Sequence, residues 1–145
     1  MNMSIKKGRI VAKEKKLFVK KLAADYKRGK LDDQIVTTKS GLKYIIHENG
    51  SGDNPSKGTK VFVHYVGALT NGNEFDNSFE YGKPLKFKLG VGNVILGWDE
   101  GIALLNVGMK ATFFIPSKLG YGTQGSPPVI PGNAELIFYV ELVDF

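Results

Sequence analysis

Cysteine is absent from the 145 residues, which excludes a disulfide framework, thiolate metal sites and a cysteine nucleophile. Histidine is scarce: His47 and His64 are the only two, too few for a histidine-rich metal centre, and they read as ordinary strand residues. No metal and no cofactor are expected. No apolar run approaches the ~18 residues of a membrane span, and the first thirty residues have no apolar secretory core. The expected location is the cytoplasm for the chain as written, or the periplasm or exterior if an N-terminal signal was removed. Catalytic templates are missing as well. There is no G-x-x-x-x-G-K-[ST] phosphate loop, no H-E-x-x-H helix and no serine in a G-x-S-x-G elbow. Gly90-Val91-Gly92 lacks the third glycine of a dinucleotide loop, and Asp99-Glu100 suits the first turn of a helix.

Acidic residues are nearly missing from one end. Residues 1–30 hold 11 Lys/Arg against 2 acids, a net of +9, whereas residues 31–145 are net −3. The pI of 9.4 therefore describes a basic segment joined to a mildly acidic body. Within Met1–Lys30, Phe18, Leu22 and Tyr26 recur at one-turn spacing beside Val19 and Ala23, which predicts a helix over about Ile10–Arg28 with Gly29 as its C-cap. A helix docked by this stripe is favoured over a surface for nucleic acid or membrane. The chain is expected to divide into a basic helical extension and linker, 1–36, and a domain, 37–145.

From Ile35 onward the pattern is that of strands and glycine turns. Leu42–His47, Val61–Val66, Leu85–Leu89, Ala111–Ile115 and Leu136–Val143 read as strands, and Asn71-Gly72-Asn73 supplies a hairpin turn. Val61–Val66 is apolar on both faces, which predicts a central strand. Trp98–Leu105 has apolar residues at helical spacing between Gly97 and Gly108. Leu119–Asn133, with four glycines and three prolines, is a long loop of the kind that serves function. The fold class is α+β, with a mainly antiparallel sheet.

Five aromatic residues, Tyr65, Phe75, Trp98, Tyr121 and Phe138, lie on five segments, each next to a turn or strand end, and Asp76 follows Phe75. Closed around one cavity, they would suit an apolar, uncharged ligand held by a few hydrogen bonds; each alone is equally well explained as core.

In register, Val63-His64-Tyr65-x-Gly67, Phe75-Asp76-x-Ser78, Gly82-Lys83-Pro84, Val94-Ile95-x-Gly97-Trp98, Leu119-Gly120-Tyr121-Gly122 and Ile130-Pro131 resemble an FKBP-type peptidyl-prolyl isomerase. The likeness runs over Thr37–Phe145, three-quarters of the chain, and the Ser40-Gly41-Leu42 leader is most similar to bacterial members. It implies a twisted antiparallel sheet wrapped around one short helix, with a shallow pocket between them. It implies Trp98 as the pocket floor, and Tyr65, Phe75, Val94, Ile95, Ile130 and Phe138 as its walls. Leu85 stands where a phenylalanine is common. Tyr121 would offer its hydroxyl to a substrate carbonyl, the Ile95 N–H would bind another, and Asp76 would lie near the twisting amide. Asp76, Tyr121 and Tyr65 are the expected catalytic set. Tyr81 replaces an arginine partner of the aspartate, Ser126 a loop histidine, and Gly132 a second proline.

The expected activity is cis–trans isomerisation of X–Pro bonds during protein folding, by a non-covalent mechanism. Proline-containing polypeptides would be the substrates, and macrolides of the tacrolimus or rapamycin type the inhibitors. The competing reading is a non-catalytic chaperone or binding module on the same fold.

Overall fold

Both faces of one strand are apolar because both are covered. The computed structural model describes residues 3–145, with side chains from residue 7 onward; the first residues of the Met1–Lys30 segment lie outside that range. Helix α1 (Met3–Lys27) precedes seven strands: β1 (Val36–Thr37), β2 (Lys43–Glu48), β3 (Lys60–Leu69), β4 (Glu74–Asn77), β5 (Leu85–Lys88), β6 (Lys110–Ile115) and β7 (Leu136–Asp144). Helix α2 (Leu96–Ile102) lies between β5 and β6. All pairings are antiparallel, in the order β1-β2-β6-β7-β3-β4, with β5 also paired to β3.

Alternation along the strands sorts side chains into two cores. From β3, Val61, Val63 and Tyr65 enter a cluster with α2, while Val66 and Ala68 enter a second cluster with α1. Neighbouring residues of β6 part in the same way, Phe113 toward α2 and Phe114 toward α1. On β7, Phe138 and Val140 face α2, and Ile137 and Tyr139 face α1.

Two helical glycines bring α2 against the sheet. A Cβ at Gly97 would stand 2.7 Å from the Ile115 side chain, and one at Gly101 would stand 2.7 Å from the Phe113 ring. Helix α2 begins at Leu96, two residues before the expected Trp98, and ends at Ile102, with Ala103 and Leu104 in a turn and Leu105 beyond it.

Helix α1 starts earlier than the apolar spacing indicated, at Met3 rather than Ile10, and ends as expected at Gly29, whose φ is 74°. Lys30 N–H donates to Asp25 O at 3.0 Å and Gly29 N–H to Tyr26 O at 3.1 Å, the paired bonds of a Schellman cap. The expected stripe is displaced by about one residue. Ala12, Val19, Leu22 and Ala23 are buried, Tyr26 is half-buried, and Phe18 is 40% exposed. Phe18 lies at the margin, edge-on to His47 at 5.2 Å and to Tyr139 at 5.5 Å. Small side chains at Ala12 and Ala23 allow the backbone to approach the sheet, and this turns the helix so that Phe18 becomes its flank. Tyr26 stacks on Phe114 at 4.1 Å and donates to Glu135 Oε2 at 2.6 Å. Lys15 pairs with Glu141 at 3.1 Å. Among the described residues no helix is long and apolar enough to cross a membrane.

Candidate active site

The site begins with a glycine on the central strand. Gly67 pairs with Phe138 of β7 on one side and Asp76 of β4 on the other. A Cβ there would lie 2.6 Å from the Phe138 ring and 2.8 Å from the Phe75 ring, so only glycine lets the two rings meet across the strand. They meet edge to face, with centroids 5.5 Å apart.

Below them lies Trp98, at the start of α2 and 3% exposed. Tyr65 at 4.9 Å and Phe138 at 5.3 Å stand nearly perpendicular to the indole, and Phe87 is tilted at 5.7 Å. Each such aromatic pair adds about 0.5–1.5 kcal/mol beyond area burial, so the floor is held rigidly. The indole N–H is buried with no hydrogen-bond partner among the described residues.

The cleft above this floor encloses about 190 Å³. Its apolar side is Tyr65, Phe75, Leu85, Val94, Ile95 and Phe138; its polar groups come from Asp76, Asn93 and Tyr121. Leu85 and Tyr121 are each 39% exposed and stand at the mouth.

Asp76 is fixed by three donors. The Tyr65 hydroxyl donates to Oδ2, and Oδ1 accepts from Tyr81 Oη at 3.1 Å and from the Asn77 N–H at 2.9 Å. Burial, and then the bond to Asp76, push the Tyr65 phenol well above the ordinary tyrosine range. The Tyr81 phenol is raised chiefly by its bond to the same carboxylate. These phenols stay protonated near neutrality and serve as donors. An aspartate so engaged is held in place by its donors and is unsuited to nucleophilic attack.

The rim is also tied down. Asp99 Oδ1 and Oδ2 accept the N–H groups of Gly90 and Gly92 at 2.8 and 3.1 Å, holding the turn that leads to Val94 and Ile95. Ser40 donates to Glu100 at 2.5 Å, joining the leader to α2. The long loop is closed by Gly122 N–H to Ser117 O and Asn133 N–H to Gly122 O, both 2.8 Å, which fixes Tyr121 from two sides.

Residues 52–143 match the model of the FKBP-type peptidyl-prolyl cis-trans isomerases. The chain belongs to that family. Over 87 residues it is 60% identical to the peptidyl-prolyl cis-trans isomerase FKBP15-1 of Arabidopsis thaliana, covering 60% of this chain and 57% of that one. Over 138 residues it is 44% identical to a probable FKBP-type isomerase of Haemophilus influenzae, covering 95% and 55%. The crystal structure of FkpA from Escherichia coli superposes with a TM-score of 0.75 at 36% identity, over 94% of this chain and 63% of that one. The chain thus spans a little over half the length of these curated relatives.

Within this FKBP-type fold, nine of the ten site residues expected from sequence line the cleft. Ile130 does not. It is 5% exposed and packs in the same cluster as Trp98 and Phe138. Sequence reasoning missed Asn93 on the lining, Tyr81 as a donor to Asp76, and Asp99 as the clasp of the rim. Only Tyr81 left a signal, since it occupies the position of the aspartate's arginine partner in other FKBP members.

Proposed function

We propose that this chain catalyses rotation about X–Pro peptide bonds in polypeptides, with Trp98 as the floor on which the proline ring rests. The observation that carries this reading is the aromatic-walled cleft whose one carboxylate, Asp76, is already satisfied by three donors. Rotation faces a barrier of about 18–20 kcal/mol that arises from amide resonance. A twisted amide has lost resonance and carries less charge separation than the planar one. An apolar cleft solvates the planar form less well than water does, so it favours the twisted state selectively. Tyr121 at the mouth is suited to donate to a flanking carbonyl. The Ile95 N–H precedes α2 and donates to no described residue, which suits it to a second carbonyl. No proton or electron is transferred, and each 1.36 kcal/mol gained only in the twisted state is tenfold in rate.

The family binds proline-containing substrates and macrolides. For this chain the finer reading is that apolar residues before proline are preferred, because Phe75, Val94 and Ile95 are apolar walls. Macrolides of the tacrolimus type enter the same cleft, more weakly than with an aromatic residue at Leu85. The intact floor, aspartate and tyrosine favour catalysis over a non-catalytic binding module. The isomerase work belongs to 37–145, and the docking of α1 favours a supporting role for 1–36 over a surface for nucleic acid or membrane.

The test is the cis-to-trans rate of X–Pro tetrapeptides with and without the full chain. Acceleration that varies with the residue before proline is expected; the uncatalysed rate for every peptide overturns the isomerase reading. Macrolide titration of Leu85→Phe should show tighter binding than the parent chain.

A further inference from the structure

One buried amide joins α1 to the carboxylate of the site. Asn77 ends β4, directly after Asp76, and is 2% exposed. Its Oδ1 accepts the Phe79 N–H at 3.0 Å and so caps the 3-10 turn Ser78–Tyr81. Capping needs only an acceptor, which serine or aspartate supplies equally well. The nitrogen is surplus to that task, yet it is the part that reaches furthest. Nδ2 donates to the backbone oxygen of Ala12 in α1 at 3.1 Å and to Glu74 Oε1 at 2.7 Å.

The turn that Asn77 caps carries the third donor to Asp76. Tyr81 is the last residue of that turn, and Gly82, at φ 73°, stops it there. The backbone N–H of Asn77 bonds Asp76 Oδ1 as well. Around this junction the packing is close. Phe79 is buried, stacks on His64 at 4.4 Å and lies with Lys15 Nζ 5.9 Å above its ring. A Cβ at Gly8 of α1 would stand in van der Waals contact with the carbonyl of Phe79, at 3.6 Å, so a larger side chain there has the turn in its path. A displacement of the turn away from α1 would therefore move Tyr81 and its bond to Asp76, while Asn77 itself stays paired with Val66 of β3.

We propose that Asn77 is a positioning residue of the isomerase site, through which α1 holds the 3-10 turn and hence the Tyr81–Asp76 bond in place. The proposal rests on the isomerase reading above, and it makes the N-terminal helix part of the support of the site, although no described side chain of α1 lines the cleft.

Asn77→Ser in the full chain separates the two tasks, because its hydroxyl oxygen still caps Phe79 but no donor reaches Ala12. The expected result is a fall of about tenfold or less in kcat/KM for tetrapeptides, carried by kcat, since misplaced catalytic groups cost rate more than binding. Combined with Tyr81→Phe, Asn77→Ser should add almost nothing to the loss from Tyr81→Phe alone, because both act through one bond. Parent-level turnover in Asn77→Ser, or losses that multiply in the double variant, overturns the proposal. Should Asn77→Ser fail to fold, Gly8→Leu introduces a wedge between α1 and the turn while favouring the helix; the same dependence on Tyr81 is expected and the same outcomes count against it. A titration of the 13C-labelled Tyr81 phenol needs no turnover. Asn77→Ser should bring its midpoint down toward the ordinary tyrosine value of about 10; an unmoved midpoint overturns the proposal even in a chain without isomerase activity.

Discussion

The two faces of one sheet have been put to different uses. The face toward α2 closes around a cleft of about 190 Å³, with aromatic rings meeting edge to face and a single engaged carboxylate. The face toward α1 is sealed by Ala12, Val19, Leu22 and Ala23 of the helix over Phe114 and Tyr139, and edged by polar contacts, Lys15 with Glu141 and Tyr26 with Glu135. Adjacent residues of one strand therefore differ in consequence: Phe113 and Tyr65 support a site, Phe114 and Val66 support a helix. Burial on both sides of a strand is thus compatible with chemistry on one side, provided that something other than solvent covers the back.

The largest test of this contrast pairs two phenylalanines from opposite faces. Phe138→Ala and Phe114→Ala should each cost about 3–5 kcal/mol of stability in denaturant unfolding, since both rings are buried. Under conditions where both variants are folded, Phe138→Ala should lose tetrapeptide isomerisation and Phe114→Ala should retain most of it. Equal losses of activity would erase the distinction between the faces.

A finer test concerns polar groups confined to the cleft. Asp76→Asn and Tyr121→Phe should lower kcat/KM about tenfold or more while leaving the melting temperature within a few degrees, because neither supports the core clusters. Unfolding in both variants would make these groups structural and remove the site from this face.

The smallest effect is one of pH, on the α1 side. Burial first, and then the nearby Lys15 ammonium, hold His47 below the ordinary histidine range; its Nε2 lies 2.7 Å from Thr112 Oγ1. With the folded value depressed, the contribution of His47 is fully present above its unfolded value of about 6.5 and is lost as pH falls through the folded one. Stability followed between pH 7 and 5 should therefore decline, and His47→Gln should flatten that decline. His64, also lowered by burial, should leave a residual slope. A slope unchanged in His47→Gln would show that α1 docks independently of this histidine.

Much of the first face was legible because strands announce their pairing in composition. Val61–Val66, apolar on both faces apart from His64, marked a strand covered on both sides, and the motifs around Phe75-Asp76 and Gly97-Trp98 marked the cleft. The three donors to Asp76 were less visible. Tyr65 is eleven residues away in sequence, and its approach depends on the β3–β4 register that sets Gly67 opposite Asp76. Ile130 packs with Trp98 and Phe138 without lining the cleft itself, and an apolar residue beside a glycine-rich loop looks the same from sequence in either place.

Sequence alone determined β2, β3, β5, β6 and β7, the basic helix with its glycine stop, the hairpin at Asn71–Asn73 and the family, because each rests on local periodicity, backbone freedom or ordered motifs. Tertiary structure alone decided which line of α1 is buried. Periodicity defines a stripe only to within a residue or so, and the contour of the sheet selected Ala12, Val19, Leu22 and Ala23 while leaving Phe18 at the edge. It also decided that Asn77, Tyr81 and Asp99 hold the site. Their roles are hydrogen bonds between distant segments, and a bond of about 3 Å exists only once the chain has brought its partners together.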